Sequence, residues 1–397
     1  METYYRPTRA EISLDALRHN IGAFRSSTPE GMKLLASVKA NAYGHGLVPV
    51  SREAEACGAD YLGVAFLDEA VRIRRAGIAM PILVLGYVPA HALGLARSLD
   101  ITIALYRDDV LEAARSLPMD GSRRLKVHVK LDTGMGRLGR LADGSGDAMR
   151  FIEEALRVPQ LHVEGMFTHF AKSDEADKSY TELQYARFAA VSDEIRRRGL
   201  PIGILHSANT AAGMDTPELG GDMLRLGIGM YGLYPSDEVD RTKLSLQPVL
   251  SLKSELVHVK ALTERWGISY GTRYFAERGE RIGTIPIGYA DGFSRLLTGK
   301  AHALVRGQRV PVAGTICMDQ CMVALDAAEA ATGSPIAAGE EAVLIGRQKD
   351  AEITAEELAA QLGTINYEIT CMLASRVPRV YVRGGEIVEV ENPLSHG

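Results

Sequence analysis

The chain has 397 residues, 46% of them hydrophobic and 24% charged, so it can bury a sizeable core, and general disorder is excluded. Its 45 basic and 50 acidic residues give a formal charge of −5, which offers no electrostatic basis for binding nucleic acid or an anionic membrane. Without a bilayer-length apolar run, a signal peptide or a CxxC pair among its four cysteines, it is expected to be cytoplasmic and globular, with neither a disulfide framework nor a metal site.

The first part of the chain alternates strand-like and helix-like segments. Eight short apolar runs have the length of strands, and several are apolar on both faces, which is typical of buried parallel strands. In chain order the runs are Lys33–Lys39, Tyr61–Ala65, Ile82–Leu85, Ile101–Ala104, Leu125–Leu131, Leu161–His169, Ile202–Ser207 and Met223–Gly229. Amphipathic stretches separate them. The clearest of these, Tyr180–Arg198, places Phe188, Val191 and Ile195 on one face and ends before Gly199.

Eight alternating strands and helices predict a closed parallel (β/α)8 TIM barrel of the α/β class rather than an open doubly wound sheet. No GxGxxG motif follows the first run, which disfavours a dinucleotide-binding fold.

After about Lys243 the β-forming residues are interrupted by Gly and Asp, and a single helical piece, Thr354–Leu362, is predicted there. The strand-like runs are Leu250–Val259, Arg281–Ile287, His302–Val305, Arg309–Val312, Glu341–Ile345 and Val380–Val388. We therefore expect two domains, a barrel over residues 1–242 and a mostly β C-terminal domain over residues 243–397. The segment up to about residue 10 is a candidate to pack on the C-terminal domain.

Polar side chains fall at the carboxyl ends of the predicted barrel strands, where this fold carries its chemistry. Lys39 ends the first run, Lys130 the fifth and His169 the sixth, and Arg225 lies in the eighth. A single lysine at a strand end is more often a surface residue, so the argument depends on the group. Buried together, these cations need an anion, and a phosphorylated cofactor supplies one.

The loops after strands seven and eight are the usual phosphate site of this fold. Here they offer the hydroxyl of Thr210, which follows Asn209, and the backbone amides of Gly227 and Ile228. A lysine facing such a site favours a Schiff base with pyridoxal phosphate. The alternative is that Lys39 clamps a phosphate or carboxylate without a covalent bond.

Motifs along the whole chain are similar to those of one enzyme family, the alanine racemases. They are SVKANAYGHG from Ser37, LDTGMGRLG from Leu131, GMFTHF from Gly165, HSANTAAG from His206, RLGIGMYGLYP from Arg225, ISYGTRY from Ile268, IGYADG from Ile287, GTICMDQ from Gly314 and TINYEI from Thr364. The resemblance implies a pyridoxal 5'-phosphate enzyme with a barrel and a β-rich C-terminal domain. It also implies that the enzyme interconverts L-alanine and D-alanine, a peptidoglycan precursor, although a biosynthetic or a catabolic role stays open.

The resemblance implies a two-base racemisation, in which Lys39 holds the cofactor and then serves one face of the substrate while Tyr270 serves the other. Arg137 resembles the group that meets the substrate carboxylate. Lys130 matches a lysine that is carbamylated in several relatives, where it positions that arginine.

The cofactor contacts implied by the resemblance lie on both domains. His169 and Arg225 are implied behind the cofactor ring, with Arg225 facing the pyridine nitrogen. The implied phosphate ligands are Tyr43, Thr210, Gly227, Ile228 and Tyr367, and Asn209 is counted among the cofactor contacts. The family more often has serine at position 210, so the hydroxyl is kept.

Met318 resembles a substrate contact and Tyr289 a residue of the entrance. In the family these two and Tyr270 come from the partner subunit, which implies a homodimer with shared active sites and a small amino-acid substrate.

Three other functions are weighed against alanine racemisation. The first is a racemase for serine or for a broader set of amino acids. The second is a barrel-type pyridoxal phosphate decarboxylase, and the third is a non-catalytic carrier of the cofactor. Individual residues also have simpler interpretations: a strand tyrosine for Tyr270, a surface ion pair for Arg137, a pair with Asp132 for Lys130, and core packing for Tyr289 and Tyr367.

Overall fold

The computed structural model describes residues 4–119, 121 and 123–395. The chain divides into two compact units. One, called the barrel unit, consists of Leu17–Ala42 and Leu47–Gln247. The other, called the β unit, consists of the described residues within Met1–Ala16, Tyr43–Gly46 and Pro248–Gly397. Among the described residues, every helix is too short or too polar to traverse a bilayer.

Strands and helices are numbered in chain order. The strands are β1 Arg9–Ser13, β2 Lys33–Ser37, β3 Tyr61–Val64, β4 Ile82–Val84, β5 Thr102–Leu105, β6 Leu125–Asp132, β7 Arg140–Leu141, β8 Leu161–Phe167, β9 Ile204–His206, β10 Met223–Leu226, β11 Leu250–Glu255, β12 His258–Ala261, β13 Trp266–Ile268, β14 Tyr274–Ala276, β15 Arg281–Ile285, β16 His302–Val305, β17 Gln308–Pro311, β18 Cys321–Ala324, β19 Glu341–Gln348, β20 Ala351–Ile353, β21 Arg379–Arg383 and β22 Glu386–Glu391. The α-helices are α1 Leu14–Ser27, α2 Lys39–Tyr43, α3 Leu47–Ala56, α4 Leu67–Arg75, α5 Leu93–Ser98, α6 Asp108–Arg115, α7 Asp147–Leu156, α8 Ser179–Arg197, α9 Thr210–Asp215, α10 Asp326–Thr332, α11 Ala355–Leu362 and α12 Asn366–Cys371. Short 3-10 helices are Ala90–Ala92, Pro217–Leu219, Ile228–Tyr231, Tyr270–Thr272, Tyr289–Asp291 and Arg295–Leu297.

The barrel unit is a nearly closed parallel barrel, and all eight predicted strands are confirmed. Their order is β10-β2-β3-β4-β5-β6-β8-β9, β10 pairs with β2, and β9 contacts β10. Helices connect successive strands, as the (β/α)8 prediction requires. Apolar side chains from the strands fill the interior, among them Leu35, Tyr61, Leu83, Ile204 and Met223. Because the strands are parallel, their carboxyl ends meet at one face of the barrel.

The β unit contains a mixed sheet in the order β17-β16-β19-β11-β1-β21-β22, with β20 paired to β19. Its first strand, β1, comes from the start of the chain and runs antiparallel to β11 and parallel to β21. Two smaller sheets, β12-β15-β18 and β13-β14, complete it. The prediction of a mostly β C-terminal domain is confirmed.

Three details of the predicted β unit are wrong. The run predicted at Leu250–Val259 is two strands, β11 and β12, that pair with different neighbours. The run predicted at Val380–Val388 is the hairpin β21–β22, which turns at Gly384 and Gly385 with φ of +58° and +83°. Glycine adopts such angles freely, so the GG pair marks a turn inside an otherwise continuous run. The structure also adds α10 and α12 to the single predicted helix.

Candidate functional site

Lys39 lies two residues beyond β2 and begins α2, a turn with a left-handed backbone. The three residues that follow Lys39 each have φ of +53°. For residues other than glycine this conformation costs roughly 1 kcal/mol or more each, so the surrounding structure must hold it. The N–H of Ala40 donates to the Glu69 carboxylate at 2.6 Å, and the N–H of Leu47 donates to Oδ1 of Asn41 at 2.9 Å. The strained turn therefore begins at the lysine predicted to react.

Lys130 is buried in β6 among other cations. Lys130 is only 5% exposed. Its pKa is lowered to about 7, first by burial and then by the charges of Arg137, Arg225 and Lys39. Asp132 opposes this shift only in part. Within the described residues Lys130, Arg137 and Arg225 make no ion pair with a carboxylate, so the predicted alternative of a Lys130–Asp132 pair is wrong. A cationic cluster with two buried members is stabilised by an anionic ligand.

Arg225 lies in β10 with its guanidinium buried. It donates to the carbonyls of Thr168 and Ser207, both at 2.7 Å, and to Nδ1 of His206 at 2.9 Å and of His169 at 3.2 Å. Burial lowers the pKa of Arg225 to about 9, which leaves it charged at neutral pH. Burial, followed by the charge of Arg225, holds the pKa of His169 well below its usual range. Neutral His169 must therefore accept at Nδ1 and carry its proton on Nε2.

Thr210 and Ile228 stand at the starts of two short helices in the barrel unit, α9 and a 3-10 helix. The first N–H groups of a helix have no acceptor within it and favour an anion. The N–H of Gly227 donates to Oγ1 of Thr210 at 2.8 Å, and this hydrogen bond holds the N-termini of the two helices close together. A Cβ at Gly229 would lie 2.7 Å from Cγ2 of Thr210, so the approach requires glycine. Asn209 caps α9 by accepting a backbone N–H at its side-chain oxygen.

Arg137 lies in a tight loop after β6. Oδ1 of Asp132 accepts the N–H groups of Gly134 at 2.9 Å and Gly136 at 3.1 Å. A Cβ at Gly139 would lie 2.5 Å from the backbone nitrogen of Asp132, which again requires glycine. Arg137 is exposed and has neither a hydrogen bond nor an ion pair within the described part of the chain, so the surface ion pair is wrong. Its guanidinium is available to a bound carboxylate.

The two tyrosines predicted as phosphate ligands, Tyr43 and Tyr367, lie in the β unit. Their ring centroids are 6.2 Å apart, with the rings tilted by 45°. Gly44, next to Tyr43, has φ of +87°, and a Cβ there would lie 2.0 Å from the carbonyl oxygen of Thr370. Close backbone packing therefore holds the Tyr43 segment against the segment that carries Tyr367.

Tyr270, Tyr289 and Met318 come together on neighbouring loops of the β unit. The carbonyl of Tyr270 accepts from the Thr315 hydroxyl at 2.8 Å, and the N–H of Tyr289 donates to the Cys317 carbonyl at 3.0 Å. Tyr270 is 72% exposed, Met318 52% and Tyr289 41%. Tyr270 begins a 3-10 turn, so its interpretation as a half-buried strand tyrosine is wrong, and core packing does not describe Tyr289.

Sequence reasoning missed polar residues beneath Arg225. It named His206 as the first residue of a motif, without a role, and it passed over His128 and Glu164. In the structure His206 joins Arg225 to His128, and His128 contacts Glu164. The available signal was a polar residue within a run that is otherwise apolar, since a buried polar group needs a partner.

Two family models match the chain. The model for the N-terminal domain of alanine racemase matches residues 12–235, and the model for the C-terminal domain matches residues 249–381. Among curated relatives, the alanine racemase of Desulforamulus reducens is 44% identical over 95% of this chain and 99% of its own length. Alanine racemase 2 of Bacillus subtilis is 42% identical over 97% of both chains.

Solved structures of similar sequence have the same fold. An alanine racemase of Clostridium difficile superposes with a TM-score of 0.92 at 39% identity, over 98% of this chain and 99% of that one. The alanine racemase of Bacillus anthracis with bound L-Ala-P gives a TM-score of 0.90 at 40% identity, over 99% of both chains.

Proposed function

Because the chain belongs to the alanine racemase family and is an isomerase that interconverts L-alanine and D-alanine, we propose that Lys39 and Tyr270 are its two catalytic bases. Racemisation removes the α-proton from one face of the substrate and returns a proton to the other. Two bases do this without one base moving around the substrate. Lys39 serves the face on which D-alanine carries its α-hydrogen, and Tyr270 serves the opposite face.

Pyridoxal 5'-phosphate is the cofactor that fits the barrel unit. The observation that carries the proposal is the cluster of Lys130, Arg137 and Arg225 near Lys39; among the described residues, none of the three cluster members makes an ion pair with a carboxylate. When bound, pyridoxal phosphate forms an imine with an amine and withdraws electron density from the substrate Cα, which acidifies its hydrogen. Lys39 is the amine that would hold it.

The phosphate of the cofactor is assigned to the end of the barrel unit where two short helices start. The Thr210 hydroxyl, oriented by the N–H of Gly227, and the N–H of Ile228 would bind its oxygens. Tyr43 and Tyr367 are assigned to the same phosphate by resemblance to the family, and so is Asn209 as a cofactor contact.

Arg225 is assigned to the pyridine nitrogen, with His169 beside it. A charged guanidinium has donors only, so it disfavours a proton on the nitrogen that it faces. The ring then withdraws electrons less strongly than it would opposite a carboxylate, which limits side reactions at Cα such as transamination. His169 is held neutral, and its Nε2–H remains available as a donor.

Arg137 is assigned to the substrate carboxylate, and Lys130 supports it as a carbamate. The lowered pKa of Lys130 leaves a fraction of neutral amine at neutral pH, and a neutral amine adds carbon dioxide. A nitrogen–carbon bond forms as one carbon–oxygen π bond of carbon dioxide opens, one proton leaves to solvent, and the neutral amine becomes an anion. Counted from the ammonium form of Lys130, two protons leave. The carbamate would give Arg137 a charge-assisted partner and hold its guanidinium in place.

The functional unit is proposed to be a homodimer in which the β unit of one protomer completes the site of its partner. The supporting observation is that Tyr270, Tyr289 and Met318 are exposed together, since clustered exposed aromatic and apolar side chains mark interaction surfaces.

Mixing two inactive variants tests both the bases and the shared site. Lys39→Ala and Tyr270→Phe are each expected to lower the rate of L-alanine racemisation with added cofactor by about 10² or more. After unfolding and refolding together, about one quarter of wild-type activity should return, because half of the dimers are hybrids and each hybrid has one intact site. No recovery, while native mass spectrometry shows hybrid dimers, would refute the shared site. L-serine, assayed in parallel, tests the broader specificity.

A further inference from the structure

A chain of hydrogen bonds runs from Arg225 through two histidines to a carboxylate. NH1 of Arg225 lies 2.9 Å from Nδ1 of His206, and Nε2 of His206 lies 2.9 Å from Nδ1 of His128. Nε2 of His128 lies 3.3 Å from Oε2 of Glu164. The four side chains come from β10, β9, β6 and β8, and both imidazoles are fully buried. We call these four residues the relay.

The two ends of the relay set the direction of its hydrogen bonds, because a guanidinium only donates and a carboxylate only accepts. A guanidinium can only donate, so Nδ1 of His206 accepts and the proton of His206 is on Nε2. That proton is donated to Nδ1 of His128, whose own proton is therefore also on Nε2. The Nε2 proton of His128 is in turn donated to the carboxylate of Glu164. The opposite tautomer of His206 would place an N–H against the guanidinium.

The backbone of β8 is built to deliver Glu164 to His128. The register between β6 and β8 shifts at one point, because Val127 pairs with Val163 whereas His128 pairs with Gly165. Glu164 is the extra residue of a β-bulge, and such bulges re-aim side chains beside functional sites. A Cβ on Gly165 would lie 2.7 Å from the His128 ring, so only glycine leaves room for the histidine.

Charge within the relay is balanced at its two ends. Arg225 has no ion pair with a carboxylate in the described residues, and Glu164 is the anion to which its hydrogen bonds lead. Burial opposes ionisation of Glu164, but the hydrogen bond from His128 favours the carboxylate, and the pKa of Glu164 is lowered. The pKa of His128 is lowered by burial, so it is neutral at pH 7. The hydroxyl of Thr102 also donates to Oε2 of Glu164, at 3.4 Å, from outside the relay.

We propose that Glu164 and His128 are positioning residues that fix the tautomer of His206 and so hold Arg225 in place as a charged donor. This inference rests on the proposed function in one respect, the assignment of Arg225 to the pyridine nitrogen of the cofactor. A loosened Arg225 would let that nitrogen gain a proton from water, and transamination would rise. In that side reaction the amino group moves from alanine to the cofactor, and pyruvate is released.

The test is Glu164→Gln, which keeps the shape of the side chain and removes its charge. The amide can donate as well as accept, so Arg225 alone then sets the direction, and a share of the molecules can reverse both imidazoles. Nitrogen-15 NMR of histidine-labelled apoprotein reads the protonated ring nitrogen directly, with signals assigned by single histidine replacements. We expect wild-type His206 and His128 to be protonated on Nε2, and both to become tautomer mixtures in E164Q. With cofactor, pyruvate formed per D-alanine should rise on the order of tenfold, the effect typical of residues behind a ligand-contacting group.

Thr102→Val is the matched control, because it removes a partner of Glu164 without interrupting the relay. It should leave both tautomers and the pyruvate ratio as in the wild type. A wild-type His206 protonated on Nδ1, or an E164Q protein with unchanged tautomers and pyruvate ratio, would overturn the proposal. The NMR measurement needs neither cofactor nor turnover. Failure of the proposed function would instead appear as a wild-type protein that does not racemise alanine.

Discussion

Replacing Lys130 by methionine isolates the cost of burying an ammonium group. Burial, aided by Arg137 and the other nearby cations, lowers the pKa of Lys130 to about 7. In the unfolded chain a lysine has a pKa near ~10.4. Between these values the unfolded chain binds the extra proton, so the folded state gains stability as the pH rises. Methionine has a similar length and no charge, and it removes this dependence.

The size of the effect follows from the two pKa values. The difference between the two pKa values corresponds to about 5 kcal/mol, which is the full cost to the folded state of keeping Lys130 protonated rather than neutral. At pH 7 about 4 kcal/mol of that cost is still present, and at pH 9 about 2 kcal/mol remains. Lys130→Met should therefore be more stable than the wild type at pH 7, and the difference should narrow by about 2 kcal/mol at pH 9.

The assay is urea unfolding of the apoprotein in buffers free of carbon dioxide, at pH 7 and pH 9. Lys126→Met is the control, because Lys126 lies on the same strand but is partly exposed and pairs with Asp100 at 3.2 Å. It should change the free energy of unfolding by less than about 1 kcal/mol. A Lys130→Met protein that is no more stable at pH 7, or whose advantage is the same at pH 9, would refute the reasoning.

The same proteins test the carbamate. Added bicarbonate should stabilise the wild type and not Lys130→Met, because only the lysine can exchange its positive charge for a negative one. Carbon-13 bicarbonate should then give a carbamate signal in the wild type alone. Equal stabilisation of both proteins by bicarbonate would contradict the assignment.

Three further predictions follow from the site and from the β unit. Tyr270→Phe should lower kcat for alanine racemisation by about 10² to 10⁴ with the cofactor absorbance retained, whereas Tyr274→Phe should not; equal losses would contradict the role of Tyr270 as a base. Arg225→Glu should raise the pyruvate formed per D-alanine, because a carboxylate favours a protonated pyridine nitrogen; an unchanged ratio in a coupled dehydrogenase assay would contradict it. Asp291 is buried in the β unit. Burial raises its pKa, but the hydrogen bonds from Arg6 and Arg376 outweigh burial and hold the pKa below its usual range. The ionised Asp291 carboxylate stabilises the fold above the ordinary aspartate pKa, and this stabilisation is lost as the pH falls toward the lowered pKa of the folded state. Asp291→Asn should therefore reduce the free energy of unfolding by about 3 kcal/mol at pH 7 and by less in acid, as measured by urea unfolding.

The barrel was predictable because its signal is local. Each parallel strand is buried on both faces, so the sequence shows eight apolar runs, and each run corresponds to a strand. The ends of the strands were less predictable. The run to Lys39 stops at Ser37 because the chain enters a left-handed turn that Glu69 and Asn41 hold from elsewhere in the fold. Asn41 tolerates that turn, but neither Ala40 nor Ala42 favours it locally.

The candidate site was predictable where its residues stand at strand ends within motifs, as Lys39, Thr210 and Arg225 do. The relay behind Arg225 was not, because it depends on the register between two strands. A bulge of one residue delivers Glu164 to His128, and the sequence of β8 alone does not reveal it.

The most direct test of the two-base account is the fate of the α-hydrogen when L-alanine is converted in deuterium oxide. Lys39 exchanges its protons with solvent and delivers a deuteron to the face opposite Tyr270. The first D-alanine formed should therefore carry deuterium at Cα, as read by mass spectrometry after chiral separation. D-alanine that retains the original hydrogen at early times would mean that one base serves both faces, and the assignment of Lys39 and Tyr270 to opposite faces would be wrong.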